Sequence, residues 1–220
     1  MNVAFLGPPN SGKGTYAKRV SKALGVPYVG SGDLFRKAYE DKTALGIKAH
    51  EYFGNGKPVP DELTINLLIQ ELKKAKNEKG FIFDTPYNAN QAKAIDDDPQ
   101  TRIDAAINVV VPDEILIRRG SSRVTCGKCG WIYNTLTLKP KQDGICDKCG
   151  GKLVQREDDK PDRIKVRLQE YKKRSGPMEE YYKKENKLKE VNWSKKLVPK
   201  GEIDIPIGVM LDKILSLLKE

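Results

Sequence analysis

The sequence predicts an α/β fold with a parallel sheet flanked by helices, and three observations carry that reading. Short apolar runs at residues 3–6, 81–83 and 107–111 are nearly continuous rather than alternating, as strands buried on both faces require. Stretches of helical periodicity fall between them, the rhythm of strand and helix in alternation. The first run leads directly into a glycine loop and then a helix, with Ala17, Val20, Ala23 and Leu24 at helical spacing.

The remaining elements follow in order. A second short strand, Pro27-Tyr28-Val29, ends at Gly30-Ser31-Gly32. Residues 33–56 read as helical but weakly patterned, until Lys57-Pro58-Val59-Pro60 breaks the chain. Asp61 is expected to cap a helix whose core face is Leu63, Leu67, Leu68 and Leu72. The strand at 81–83 runs into Asp84, and that at 107–111 into Pro112-Asp113. From about 124 to 155 the rhythm breaks: this section is polar, turn-rich and holds every cysteine, so it reads as an inserted subdomain. Residues 163–182 resume as a charged helix, and a strand at 188–191 and a helix at 207–218 close the chain.

Composition narrows the function classes. The formal net charge of +10 suits polyanionic partners, nucleotides or nucleic acid, without separating them. Most lysines, as in Leu72-Lys73-Lys74-Ala75-Lys76, fit solvated helix faces. No stretch approaches the roughly 20 apolar residues that span a bilayer, and no leader pattern precedes the first strand. No membrane partner and a cytoplasmic location are expected. In a reducing compartment, four cysteines suit a metal better than disulfides.

Gly7-Pro8-Pro9-Asn10-Ser11-Gly12-Lys13-Gly14-Thr15 matches a Walker A phosphate loop, with Gly14 between Lys13 and Thr15. Gly7 and Gly12 let the backbone turn so that its N–H groups converge on phosphate oxygens, beside the positive end of the following helix. Lys13 supplies a mobile charge for the β- and γ-phosphates, and Thr15 is placed for the phosphates or Mg²⁺. The fold expected is therefore the P-loop NTPase type. Asp84, at a strand end some seventy residues on, suits the acidic partner that holds Mg²⁺ through water; the plainer alternative is a turn or helix-cap aspartate. Cys126, Cys129, Cys146 and Cys149 form C-x₂-C-x₁₆-C-x₂-C. Four thiolates leave no open coordination position, so the metal expected is tetrahedral, structural Zn²⁺.

With these motifs in hand, the chain resembles the adenylate kinases, in particular the long form with a zinc-binding lid, over nearly its full length. Ser31-Gly32-Asp33-Leu34-Phe35-Arg36 is similar to the element that grips AMP, with Ser in place of Thr. Gly56-Lys57-Pro58-Val59-Pro60-Asp61-Glu62 matches the end of the AMP-binding segment. Arg119 and Arg123 precede the cysteines, while Arg156-Glu157-Asp158-Asp159 and Arg167 match the return from the lid. The resemblance implies reversible transfer of the γ-phosphoryl of ATP to AMP, giving two ADP, with Mg²⁺ and closure of the lid. It assigns Lys13, Arg123, Arg156 and Arg167 to catalysis, and Gly12, Lys13, Gly14, Thr15, Arg119 and Arg123 to ATP. AMP falls to Ser31, Arg36, Val59, Gln91, Arg156 and Arg167, with Gln91 reading the adenine edge. Residues 1–29, 60–122 and 161–220 would form the core, 30–59 the monophosphate-binding segment and 123–160 the zinc lid. A monomer is the default, with a homo-oligomer open.

Two departures from the family stand out. Asp84-Thr85-Pro86-Tyr87-Asn88-Ala89-Asn90-Gln91 is one residue shorter than the usual element and lacks the arginine that binds the AMP phosphate; Tyr87 or Asn88 is a candidate substitute. Asn10 stands where the family usually has Gly. The altered loop keeps alive a nucleoside monophosphate kinase with another acceptor or broad donor use. A reading of a different class is a zinc-containing, nucleic-acid-binding ATPase, and nucleic acid is the less expected partner because few basic residues lie near the cysteines. Asp158 and Asp159 either orient the lid arginines or form plain salt bridges. Trp131 and Tyr133 are expected to pack around the zinc knuckle, and His50 is assigned no role.

Overall fold

The computed structural model describes residues 1–53, 59–75, 78–84, 86–156 and 159–219. Five strands form one parallel sheet: β1 (Asn2–Leu6), β2 (Tyr28–Gly30), β3 (Phe81–Asp84), β4 (Ala105–Val110) and β8 (Leu188–Asn192), in the order β2-β3-β1-β4-β8. Side chains of β1 divide strictly by parity. Val3 and Phe5 enter a core with Ala17, Val20, Ile107, Met210 and Ile214. Ala4 and Leu6 face Leu68, Leu72, Phe83, Ile95 and Tyr182 on the other side. Both faces are covered by helices, which is why the strands read as continuous apolar runs.

The helices are α1 (Lys13–Leu24), α2 (Ser31–Glu40), α3 (Ala44–Phe53), α4 (Asp61–Ala75), α5 (Ala89–Asp97), α6 (Asp113–Ser121), α7 (Pro161–Lys184) and α8 (Ile207–Leu217). Residues 33–56, which read as helical but weakly patterned, are helical where described and are divided into two helices, α2 and α3. Thr43 ends the first and caps the second, its Oγ1 accepting from Gly46 N at 3.0 Å. The helices then cross so closely that a Cβ on Gly46 would lie 2.1 Å from the Ala38 carbonyl. Asp61 does not act as the expected cap; it occupies the first turn of α4, and its carboxylate accepts from Asn88 and Gln91. The expected leucine face of α4 is shared. Leu68 and Leu72 enter the main core, while Leu63 and Leu67 pack on Phe35, Ala49 and Val59.

The cysteine-bearing section forms its own antiparallel sheet, β5 (Arg123–Cys126), β6 (Ile132–Asn134) and β7 (Leu153–Val154), in the order β6-β5-β7. Its small core is Cys126, Tyr133, Cys146 and Leu153, flanked by Trp131 and Cys149. Asn134 ties the sheet to α6, donating to the Arg119 carbonyl at 3.1 Å and to Ser122 Oγ at 2.8 Å. No described helix is long and apolar enough to cross a membrane.

Candidate active site

The carboxyl ends of β1 and β3 open into a cavity of about 760 Å³, closed on the far side by the small antiparallel sheet. Strand order makes this crevice: β1 is flanked by β3 and β4, so the loops after β1 and β3 leave the sheet side by side. The glycine loop lies at its centre. Gly7 adopts φ 138°, and a Cβ there would come within 2.8 Å of both Ser11 Oγ and the Val109 carbonyl. Gly12 precedes α1 at φ 90°, a left-handed turn that aims the helix N-terminus into the cavity. Asn10 also takes a left-handed backbone, φ 67°, which asparagine tolerates better than most residues. Its amide is buried against α6: a Cβ on Gly120 would meet Asn10 Nδ2 at 2.2 Å.

Lys13 and Asp84 both line the cavity at this loop, and their charges act on one another. Burial pulls the Lys13 ammonium below its ordinary value; Asp84 opposes that shift, while Arg167 and Arg123 add to it. Burial pushes the Asp84 carboxyl up, against the pull of Lys13. Asp84 Oδ2 accepts from the Tyr28 hydroxyl at 3.2 Å, and the Asp84 carbonyl accepts from Ser31 Oγ at 3.3 Å. Asp84 Oδ1 is buried and has no hydrogen-bond partner among the described residues. A buried acceptor of this kind is costly unless a cation or donor completes it.

Five arginines reach the cavity wall: Arg36, Arg119, Arg123, Arg156 and Arg167. Each carboxylate that holds them is specific. Asp159, fully buried, accepts from Arg123 Nε at 2.8 Å and from Arg123 Nη2, and lies 3.8 Å from Arg167 Nη1. It therefore orients two of the expected arginines; Asp158 and Glu157 lie outside the described residues. Asp204 grips Arg119 with both oxygens, at 2.5 and 2.8 Å, and the third guanidinium nitrogen donates to the Ser11 carbonyl at 2.8 Å. Burial opposes ionisation of Asp204, but hydrogen bonds and charge from Arg119, with the Trp193 N–H, outweigh it and hold the carboxyl below its ordinary value. Arg36 pairs with Asp33 at a more exposed position, and Lys18 lies 3.2 Å from the same carboxylate.

Of the residues singled out from sequence, Gly12, Lys13, Gly14, Thr15, Ser31, Arg36, Asp84, Arg119, Arg123, Arg156 and Arg167 line the cavity together. Val59 and Gln91 do not. Val59 is buried among Phe35, Ala49 and Leu63. Gln91 spends its side chain within the protein, donating to Asp61 Oδ1 at 2.7 Å and accepting from Tyr87 N at 2.8 Å. Residues 54–58, including Gly56, Lys57 and Pro58 of the matched segment, and Thr85 lie outside the described residues. Sequence reasoning missed Tyr28, Asp204 and Trp193. Tyr28 and Asp204 act through partners 56 and 85 residues away, and Trp193 acts through Asp204; no motif spacing marks them.

The four cysteine Sγ atoms all lie within 4.8 Å of one another, with Cys126–Cys149 at 3.4 Å and Cys129–Cys146 at 3.6 Å. A tetrahedron with bonds of about 2.3 Å to sulfur has edges of about 3.8 Å, so the set suits structural zinc. A Cβ on Gly151 would fall 2.8 Å from Cys126 Sγ, so glycine is required where the chain passes the sulfurs. Tyr133 and Trp131 pack at this centre as expected. Tyr133 reaches Cys146 Sγ at 3.7 Å, and Trp131 lies between Lys148 at 3.9 Å and Arg19 of α1 at 5.9 Å. The latter contact sets the cysteine-bearing sheet against α1.

Comparison with known proteins agrees with this construction. The family model described as adenylate kinase matches residues 5–187. An adenylate kinase of Archaeoglobus fulgidus is 45% identical over 199 residues, 89% of this chain and 92% of the relative. One of Fervidobacterium nodosum is 45% identical over 86% of this chain and 88% of its own length. One of Staphylococcus epidermidis is 40% identical over 93% of this chain and 98% of its own. On this evidence, with the phosphate loop and the arginine-lined cavity already built from its own residues, the chain belongs to the adenylate kinase family, whose members are nucleoside monophosphate kinases.

Proposed function

We propose that this protein transfers the γ-phosphoryl group of Mg²⁺-bound ATP to AMP, reversibly, and that the zinc unit closes over the two nucleotides as it does so. The observation that carries this reading is the convergence of the phosphate loop, Asp84 and five arginines on one cavity. The acceptor phosphate is already an anion, so no general base is needed; an acceptor oxygen bonds to the γ-phosphorus as its bond to the β,γ-bridging oxygen breaks. The work is alignment of two polyanions and compensation of charge on the moving group. Lys13 and the backbone of residues 7–15 hold the donor's β- and γ-phosphates. Arg123, Arg156 and Arg167 gather around the transferred group, Arg119 fixes the loop through Ser11, and Ser31 and Arg36 hold the acceptor side. Bound nucleotide also supplies the negative charge that Lys13, Arg123 and Arg167 want in one another's presence.

Mg²⁺ fits the residues present: the orphaned Asp84 Oδ1 and the Thr15 hydroxyl are hard oxygen groups at the loop. When bound with ATP it would offset phosphate charge. The chain divides accordingly into core (1–29, 60–122, 161–220), acceptor segment (30–59) and zinc lid (123–160). A zinc ion at the four cysteines would have a structural role, a monomer is sufficient for this chemistry, and the cytoplasm supplies the nucleotides. A second reading is favoured by one observation: Gln91 faces Asp61 rather than the cavity, so an acceptor other than AMP stays in play.

The test is transfer from Mg²⁺–ATP to AMP, GMP, CMP and UMP, with products separated. Rapid ADP formation with AMP alone supports the reading. A preference for another acceptor transfers it to a different monophosphate kinase, and phosphate release regardless of acceptor overturns it.

A further inference from the structure

The segment after Asp84 is built to present one side chain. Asn88 caps α5, its Oδ1 accepting from Gln91 N at 2.9 Å, while its Nδ2 donates to both oxygens of Asp61 at 2.9 and 3.1 Å. Gln91 joins the same carboxylate at 2.7 Å and accepts from Tyr87 N at 2.8 Å. Both ends of the Asn88 and Gln91 amides are thus engaged within the protein, and neither residue lines the cavity. Tyr87, which their network holds by its backbone, does line the cavity and is 37% exposed.

The ring of Tyr87 is supported from α7. The Arg174 guanidinium lies 5.1 Å from its centroid and is steadied by Glu170 at 3.5 Å. Its hydroxyl has no hydrogen-bond partner among the described residues. Tyr87 and Arg167, an arginine already assigned to the phosphates, line the same cavity, and the charges that act on the phenol are Arg174, Glu170 and Arg167. Burial pushes the phenol above its ordinary value, against Arg174 and Arg167. It therefore keeps its proton at neutral pH and acts as a donor.

We infer that Tyr87 binds the phosphate of the acceptor nucleotide through its hydroxyl, beside Arg167, and that Gln91, with Asp61 and Asn88, is a positioning residue for Tyr87 rather than a reader of the acceptor base. The inference rests on the proposed phosphoryl transfer and deepens it. The physical sense is consistent: a phenol O–H held against a pre-ordered ring loses little freedom on binding an anion, and a hydrogen bond to a charged group is strong. A contact to phosphate is blind to the base, so it helps every nucleoside monophosphate equally.

The experiment compares wild type with Tyr87→Phe and Gln91→Leu. AMP binding is measured by titration calorimetry without ATP, and KM for AMP, GMP, CMP, UMP and ATP in the transfer assay. Tyr87→Phe is expected to weaken AMP binding and raise its KM about tenfold, with KM for ATP within about twofold and the unfolding midpoint unmoved. Gln91→Leu is expected to raise KM for every acceptor used by a similar factor. The double variant should be little worse than Tyr87→Phe. Unchanged AMP binding in Tyr87→Phe overturns the inference while leaving the kinase reading intact. So does loss confined to AMP in Gln91→Leu, which would make that side chain a base reader; should that variant fold poorly, Asn88→Ala carries the same positioning comparison. A wild type that binds and phosphorylates no monophosphate overturns the kinase reading itself, and this inference with it.

Discussion

Replacing Asp204 by alanine removes the clamp on Arg119, and the cost follows from the partners. The carboxylate is 6% exposed and the guanidinium 13%. Two charged hydrogen bonds, the Trp193 indole donor at 2.8 Å and the Ile205 N–H at 2.8 Å all lose their acceptor together. Breaking a buried pair from one side costs about 3–5 kcal/mol, because the remaining charge is stranded. For a chain of this size each kcal/mol lowers the unfolding midpoint by about 2–4 °C, so calorimetry at pH 7 should show a fall of about 6–20 °C. The double variant Arg119→Met, Asp204→Ala should recover more than half of that, since no charge is left buried. The sign with pH is also fixed. A carboxyl held below its unfolded value of about 3.9 stabilises fully above that value and loses its contribution as pH falls through the folded one. The gap between parent and Asp204→Ala should therefore close in acid. A fall under about 3 °C, or a double variant as unstable as the summed singles, would refute the reasoning.

Other outcomes follow from the same geometry. Asp84→Asn should lower transfer about a hundredfold or more and raise the Mg²⁺ concentration needed for half activity, read from kinetics at fixed ATP. Gly120→Ala drives a methyl into the Asn10 amide and Ile164; about 1–3 kcal/mol of stability should be lost, with KM for ATP raised more than KM for AMP. Cys149→Ser should abolish stoichiometric zinc, measured by a colorimetric chelator after unfolding. It should also make the 123–160 section the first to be cut by protease, because its apolar core is small, with four buried residues among those described.

Legibility in the sequence tracked the range of the interaction. The phosphate loop, the strand runs and the cysteine pairs are local, and the structure has them where periodicity and spacing put them. The break between α2 and α3 was also local, in the Thr43 cap, but an otherwise weak apolar pattern hid it. Pairings such as Arg119 with Asp204, 85 residues apart, and Tyr28 with Asp84 arise only when parallel strands bring their ends together. Gln91 shows another side of this: motif position aims it at a base, yet Asp61, 30 residues back, accepts from its Nε2 while its oxygen accepts from Tyr87 N in the loop that is one residue short. Whether Asp159 holds an arginine of the site likewise needed geometry: its burial and its two-oxygen contact with Arg123 appear only in the folded chain.

The most direct test of the central claim starts from ADP alone. With Mg²⁺ present, ³¹P spectra should show ATP and AMP appearing in equal amounts, with no free phosphate and no change when Mg²⁺ is chelated first. Growth of inorganic phosphate without AMP and ATP in parallel would show that water, not a second nucleotide, is the acceptor, and would contradict the account.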